Sequence, residues 1–140
     1  MSLFLRSSAF SLQSEVMDCP KCKNSMESVT YESIVVDRCT YCQGIWFDAL
    51  EHEHLKHIRG SESIDIGDPE VGKEFDDVSH IACPNCHTSM IRMVDNDQPH
   101  IHYEACTVCY GVFFDAGEFT DYKKKTVFDF FRDLLAKERT

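Results

Sequence analysis

The stretch Cys39-Thr-Tyr-Cys-Gln-Gly-Ile-Trp-Phe-Asp-Ala-Leu-Glu51 recurs later in the chain as Cys106-Thr-Val-Cys-Tyr-Gly-Val-Phe-Phe-Asp-Ala-Gly-Glu118. Each copy is preceded by a Cys-Pro-x-Cys pair, Cys19-Pro-Lys-Cys in the first and Cys83-Pro-Asn-Cys in the second. Cys83 follows Cys19 by 64 residues, whereas Cys106 follows Cys39 by 67. The chain is therefore an internal duplication, and the three additional residues of the second copy fit best in the run of turn formers at residues 95–99.

The eight cysteines form four C-x-x-C pairs and leave no cysteine over. A gap of 16 residues separates the pairs of the first copy, and a gap of 19 separates those of the second. Both gaps are typical of a four-thiolate zinc site, in which two tight turns each present two sulfurs to one tetrahedral ion. The sequence thus predicts two zinc ions per chain, with the ligands Cys19, Cys22, Cys39 and Cys42 for one and Cys83, Cys86, Cys106 and Cys109 for the other.

Three other uses of these cysteines compete with zinc binding. Structural disulfides need an oxidising compartment, and no convincing secretion signal precedes the first pair. A thioredoxin-like redox site rests on one reactive pair beside a βαβ pattern, which the sequence does not show. Four thiolates also hold iron tetrahedrally, so a rubredoxin-like iron site is the closer alternative to zinc.

Composition excludes several classes of protein. The 140 residues have a net charge of -10, which argues against a protein whose affinity comes from neutralising nucleic-acid phosphates. No run of about 18 apolar residues is present, so we expect no membrane-spanning helix. With 43% apolar residues the chain has enough hydrophobic side chains to fold. We expect a cytoplasmic protein.

Each copy has the pattern of a small sheet followed by a helix. Alternating residues predict two strands around a turn and a short third strand over residues 45–47 and 112–114. Asp48 and Asp115 are each followed three residues later by a glutamate, which predicts a capped helix start. Gly44 and Gly111 follow the last thiolate turn, where we expect the backbone at positive φ. The predicted fold class is a small metal-stabilised α+β protein with a three-stranded sheet and a following helix in each copy.

The rest of the chain divides around the two copies. We assign residues 17–57 and 81–122 to the two metal-binding units and expect residues 1–16 to be a disordered extension. Residues 58–80 hold seven acidic residues and three glycines, so they are expected to form an acidic, partly extended linker. Residues 123–140 carry apolar side chains at helical spacing and predict a C-terminal amphipathic helix. These apolar residues are Val127, Phe128, Phe130, Phe131, Leu134 and Leu135.

The cysteine, glycine and aromatic positions resemble the transcription factor IIB-type zinc-finger family. Its pattern runs C-P-x-C, a hairpin, then C-x-x-C-x-G, an aliphatic residue, Trp, a hydrophobe and Asp-x-Gly-Glu, and both copies follow it. Leu50 stands where the family has glycine and Phe113 where it has tryptophan, but neither is a ligand position. The resemblance implies two tandem zinc ribbons and zinc binding, and its name suggests a transcription-related setting.

The aromatic residues of the third strands are the best candidates for contact with a partner. Trp46 and Phe47, like Phe113 and Phe114, alternate in direction, and a small sheet lacks a second layer to cover the outward members. The seven histidines are expected at the surface, with no role as ligands.

We therefore expect a non-enzymatic protein-interaction module that binds zinc. Filled thiolate sites leave no coordination position for a substrate, and no nucleophile–base group remains once the cysteines are assigned. The partner is expected to be a protein, whose identity the sequence does not give, as it does not give the oligomeric state. A nucleic-acid-binding zinc ribbon and an iron-binding, rubredoxin-like redox protein are the alternatives.

Overall fold

The computed structural model of the chain describes residues 16–76, 78, 80–95 and 101–123. The expected N-terminal extension lies outside these residues apart from its last position, and the predicted C-terminal helix does so apart from its first. No helix among the described residues has the length and apolar character needed to cross a bilayer.

Strands and short helices follow the predicted order. The first copy contains β1 (Met26–Tyr31), β2 (Ile34–Cys39), β3 (Ile45–Phe47) and helix α1 (Glu51–Lys56). A 3₁₀ helix (Ser61–Ile64) and helix α2 (Pro69–Asp76) come next. The second copy contains β4 (Ile91–Val94), β5 (His102–Ala105) and β6 (Val112–Phe114), followed by helical residues 118–123. The prediction of a small α+β fold with three strands and a helix in each copy is confirmed.

The two small sheets are joined edge to edge. β3 pairs with β6 in an antiparallel register that places Trp46 opposite Phe113, which gives one six-stranded sheet with the order β1-β2-β3-β6-β5-β4. Trp46 and Phe113 are equivalent positions of the two copies. The copies are therefore related by an approximate twofold axis that passes between these two residues.

Glycines after the thiolate turns make this junction possible. A Cβ on Gly44 would lie 2.3 Å from the Phe113 ring, and one on Gly111 would lie 2.2 Å from the Trp46 ring. Each glycine thus makes room for the aromatic side chain of the other copy. The expected positive φ is wrong for these glycines, because the left-handed residues are Gln43 (φ 63°) and Tyr110 (φ 65°), one position earlier.

Both faces of the central strands β3 and β6 are covered by the chain itself. On one face, Trp46 and Phe113 pack with the cysteines and with α2 residues such as Val71 and Phe75. On the opposite face, Phe47, Phe114 and their neighbours pack under the helices that follow β3 and β6. Trp46, Phe47, Phe113 and Phe114 are all fully buried. The expectation that the outward members contact a partner is therefore wrong, since the pairing of the copies and the helices supply the missing layers.

The acidic segment between the copies is more structured than a partly extended linker. It contains the 3₁₀ helix and α2, and Asp65 anchors it to the second copy by accepting hydrogen bonds from the Gly117 and Thr120 amides, each at 2.9 Å. Gly72 of α2 lies so close to Ala116 that an added Cβ would stand 2.2 Å from its carbonyl oxygen. Here tertiary contacts override the helix-breaking glycines.

The helix starts differ from the predicted capping boxes. α1 begins at Glu51, whose Oε1 accepts the Asp48 amide at 3.0 Å, but the residue before it is Leu50 in the left-handed region (φ 67°) with no capping side chain. In the second copy, Glu118 instead accepts the His102 amide at 3.2 Å. Only the reciprocal glutamate contact of the first box is present.

Candidate metal centres

The first centre gathers four cysteines from two turns at one end of the first copy. The Sγ atoms of Cys19 and Cys42 are 3.7 Å apart, and those of Cys22 and Cys39 are 3.3 Å apart. All four sulfurs lie within 4.8 Å of one another. One turn precedes β1 and the other follows β2, so the hairpin between them brings the two C-x-x-C pairs together.

The second centre repeats this arrangement. Cys83, Cys86, Cys106 and Cys109 also lie with their sulfurs within 4.8 Å, and the Sγ atoms of Cys83 and Cys109 are 3.7 Å apart. The structure therefore brings together all eight cysteines that the sequence predicts as ligands, in the two predicted groups.

Each turn has a backbone that presents its sulfurs to a common centre. The residue after each C-x-x-C pair adopts a left-handed conformation, at φ between 63° and 69°; these residues are Lys23, Gln43, His87 and Tyr110. Amides within the turns point at sulfur: the Tyr41 and Cys42 amides donate to Cys39 at 3.3 and 3.4 Å. The Asn85 and Cys86 amides donate to Cys83 at 3.4 and 3.3 Å. Such hydrogen bonds stabilise thiolate charge.

The geometry fits a tetrahedral ion. Metal–sulfur bonds of about 2.3 Å place the sulfurs of a tetrahedron about 3.8 Å apart, close to the 3.7 Å between Cys19 and Cys42 and between Cys83 and Cys109. Without a cation, so many thiols at this spacing cannot all ionise. A hydrogen bond from Cys42 lowers the pKa of the Cys19 thiol to about 5, and the same contact raises the pKa of Cys42. Burial raises the pKa of Cys83 to about 12. A divalent ion would let all four sulfurs bind as thiolates.

The family assignment agrees with this geometry. The family model described as transcription factor zinc-finger matches residues 18–58 and again residues 82–125, which together make up more than half of the chain. The chain belongs to this zinc-finger family. Each match contains one cysteine quartet, so the two copies are tandem zinc ribbons, as the sequence predicts. A search of curated proteins found no match, and neither did a search of solved structures.

A buried ion pair links the two zinc ribbons beside the first quartet. Lys21, between Cys19 and Cys22 of the first quartet, donates to Asp115 of the second ribbon at 2.7 Å and lies 3.1 Å from Glu104. In the equivalent place of the second ribbon, Asn85 donates to Asp48 of the first at 3.4 Å. This contact was not predicted, although the sequence carries its signal in the third residue of each Cys-Pro-x-Cys turn and in the aspartate after each third strand.

A third group of ligand-type side chains is structural. Oxygens of Asp76, Asp115 and Glu118 lie within 4.8 Å of one another, but Lys21 pairs with Asp115 and Arg92 pairs with Asp76. Burial raises the pKa of Asp115 to about 6, although Lys21 opposes this effect. Burial and the two neighbouring carboxylates raise the pKa of Glu118 to about 8. We assign these groups to the contact between α2 and the second ribbon.

Among the described histidines four lie at the surface, His102 is half-buried and one is buried, while His100 lies outside the described residues. His54, His57, His80 and His87 are exposed. His52 is buried instead, in a box of aromatic rings at centroid distances of 6.1 to 6.3 Å; these rings are Phe47, Tyr103, Phe114 and Tyr122. The surface prediction is wrong for His52, because it occupies the place of the core residue Phe119 in the second ribbon.

Proposed function

We propose that each cysteine quartet binds one zinc ion and that the tandem ribbons act as a non-enzymatic module that binds a protein. The observation that carries this proposal is the closed donor set: four sulfurs fill a tetrahedral site and leave no position for water or a substrate. A closed site of this kind stabilises a fold and does not activate a reactant.

Zinc is favoured over iron by the family, and the small size of each unit indicates that it needs a structural metal. Each ribbon is about 40 residues long, a length at which apolar burial alone gives marginal stability. Structural zinc contributes an apparent 10–16 kcal/mol, about what such a unit needs. Native mass spectrometry of protein purified without added metal is expected to give two zinc ions per chain and a colourless sample. Cys22→Ser is expected to lose one ion, whereas the exposed Ser28→Ala keeps both. A red sample with iron would overturn the assignment.

Exposed side chains at the tips of the thiolate turns support binding of a protein. Tyr41 and Tyr110 are about two-thirds exposed, at 68% and 67%, and Val108 is 59% exposed. Tyr41 and Val108 occupy equivalent positions of the two ribbons. Tyrosine is enriched at protein interfaces because it offers a large, rigid and amphipathic contact area. The second thiolate turn of each ribbon is therefore the surface we assign to a partner.

This surface can be tested with matched variants in the native cell extract. Cross-linked partners of the full chain are expected to be lost or reduced at least tenfold with Tyr41→Ser plus Tyr110→Ser. Val35→Ser, which changes an exposed residue of β2, serves as the control. Equal capture by all three chains would contradict a role for the turn tips. A shift of DNA or RNA mobility at low salt would instead support the nucleic-acid alternative, which a chain of charge -10 disfavours.

A further inference from the structure

An apolar surface lies on the outer strands of the second ribbon. Ile91 and Met93 of β4 stand opposite Ala105 and Tyr103 of β5, on the face of the sheet that contains Phe114. Ile91 is 46% exposed and Met93 is 36% exposed. We call this the β4 surface: Ile91, Met93, Tyr103 and Ala105. Tyr103 and Ala105 are half-buried, so Ile91 and Met93 are the exposed part of this surface, and covering them would stabilise the sheet.

The equivalent surface of the first ribbon has such a cover. After α1 the chain runs over β1 and β2, where Tyr31 donates to the Arg59 carbonyl at 2.7 Å and Arg38 donates to the Ile64 carbonyl at 2.8 Å. Ile64 is only 3% exposed in this position. The segment that follows the helix thus completes the core of the first ribbon.

The β4 surface differs from its counterpart in charge. In the first ribbon, Glu27 and Arg38 stand opposite each other on β1 and β2 and form an ion pair at 3.2 Å. The same register in the second ribbon places Ile91 opposite Ala105. Glu27 of this pair keeps its side chain half-exposed to water, whereas two apolar side chains at that place are stabilised when a covering element removes them from water.

The chain that follows the second ribbon supplies apolar side chains for a cover of the β4 surface. Helical residues 118–123 occupy the place of α1, and the offset of 67 residues that relates the late parts of the ribbons aligns Phe131 with Ile64. Residues 124–140 carry their apolar side chains at helical spacing. We propose that the β4 surface is a docking site for residues 126–135 of the same chain, which cover Met93 and Tyr103 as residues 57–64 cover the first ribbon.

The proposal can be tested on the full, zinc-loaded chain by NMR with labelled methionine methyl groups. We expect nuclear Overhauser contacts between the Met93 methyl group and Phe ring protons at positions 128–131. Phe131→Glu is expected to abolish these contacts, to move the Met93 methyl shift to its solvent-exposed value and to leave the Met26 methyl shift unchanged. Arg132→Glu, on the polar side of the same segment, is the control and is expected to leave the contacts in place.

Two results would overturn the proposal. Contacts seen only between differently labelled copies of the chain would show that a second copy covers the β4 surface. A Met93 methyl group that has no aromatic contacts, and whose shift is the same in the intact chain and in a chain that ends at Lys125, would show that residues 126–140 do not dock there. The zinc content of each variant, measured in parallel, separates these outcomes from loss of the fold.

Discussion

Lys21 shows how a single residue can hold together the two ribbons. Its side chain is fully buried and contacts Asp115, Glu104 and the carbonyl of Phe75 at 2.9 Å, so one ammonium group joins the first ribbon, the second ribbon and α2. A buried charge stabilises the fold only when it is paired with an opposite charge. Removing one member of the pair leaves the other buried without a partner, which is costly in free energy.

Lys21→Met is expected to lower the free energy of unfolding by about 3–5 kcal/mol, because it leaves the buried Asp115 carboxylate without its cation, whereas Glu104 keeps Arg92 at 3.7 Å. Urea denaturation followed by Trp46 fluorescence in excess zinc measures the loss. Lys23→Met, which changes the exposed lysine after the same turn, is expected to cost less than about 0.5 kcal/mol. Equal effects of the two substitutions would mean that the buried ion pair has no special role.

His52 gives the first ribbon a sensitivity to acid. Burial lowers its pKa, so the folded chain resists protonation at a pH where the unfolded chain, with an ordinary pKa of about 6.5, already binds a proton. Stability should therefore fall as the pH drops below about 6.5. His52→Phe, which places a phenylalanine at the position equivalent to Phe119, is expected to remove the loss of stability that His52 causes. The free energy of unfolding of this variant, relative to that of the natural chain, should therefore increase as the pH drops from 7.5 to 5.5. His54→Phe, on the exposed side of α1, is the control. A constant difference would contradict this account.

At the scale of elements, β3 and β6 form the junction on which the fold depends. Three residue pairs connect these strands, and the reciprocal packing of Trp46 on Gly111 and Phe113 on Gly44 closes the layer around them. The glycine and the aromatic residue of the family pattern thus have a packing role: each glycine provides the space that the other ribbon's aromatic side chain fills.

Gly44→Ala is expected to destabilise the chain by about 1–3 kcal/mol through overpacking against the Phe113 ring. Phe113→Leu should relieve that clash, so the double variant is expected to be more stable than the sum of the single effects predicts, by more than about 0.5 kcal/mol. Gly67→Ala, which meets Ala116 instead, should combine additively with Phe113→Leu. A coupling as large for Gly67 would contradict the proposed packing. Chemical denaturation of all variants measures these couplings.

Local features were predictable from the sequence where they depend on one type of residue at a fixed spacing. The spacing of the cysteines gave both quartets, because two sulfurs two residues apart reach one ion only through a tight turn. The strands and the small α+β fold followed from alternation. The pairing of β3 with β6 was not predictable in this way. It uses backbone N–H and C=O groups, which every strand edge presents whatever its side chains are. The burial of both Trp46 and Phe47 depends on that pairing and was missed with it.

At the scale of the whole molecule, the shared sheet should make the two ribbons unfold together. Trp46 of the first ribbon packs on Gly111, two residues after Cys109 of the second quartet. Cys106→Ser is therefore expected to lower the melting temperature reported by Trp46 fluorescence, by at least about 10 °C, and the far-ultraviolet circular dichroism transition should coincide with it. Two separate transitions, with Trp46 unaffected, would show that the ribbons are independent units.

Both ribbons are expected to depend on their metal ions for their fold, and titration of the zinc-loaded chain with a chelator measures this dependence. Far-ultraviolet circular dichroism and released zinc are measured in the same sample. We predict that the sheet signal disappears in step with the release of two zinc ions per chain and returns when zinc is added back. Release of both ions with an unchanged spectrum would contradict the claim.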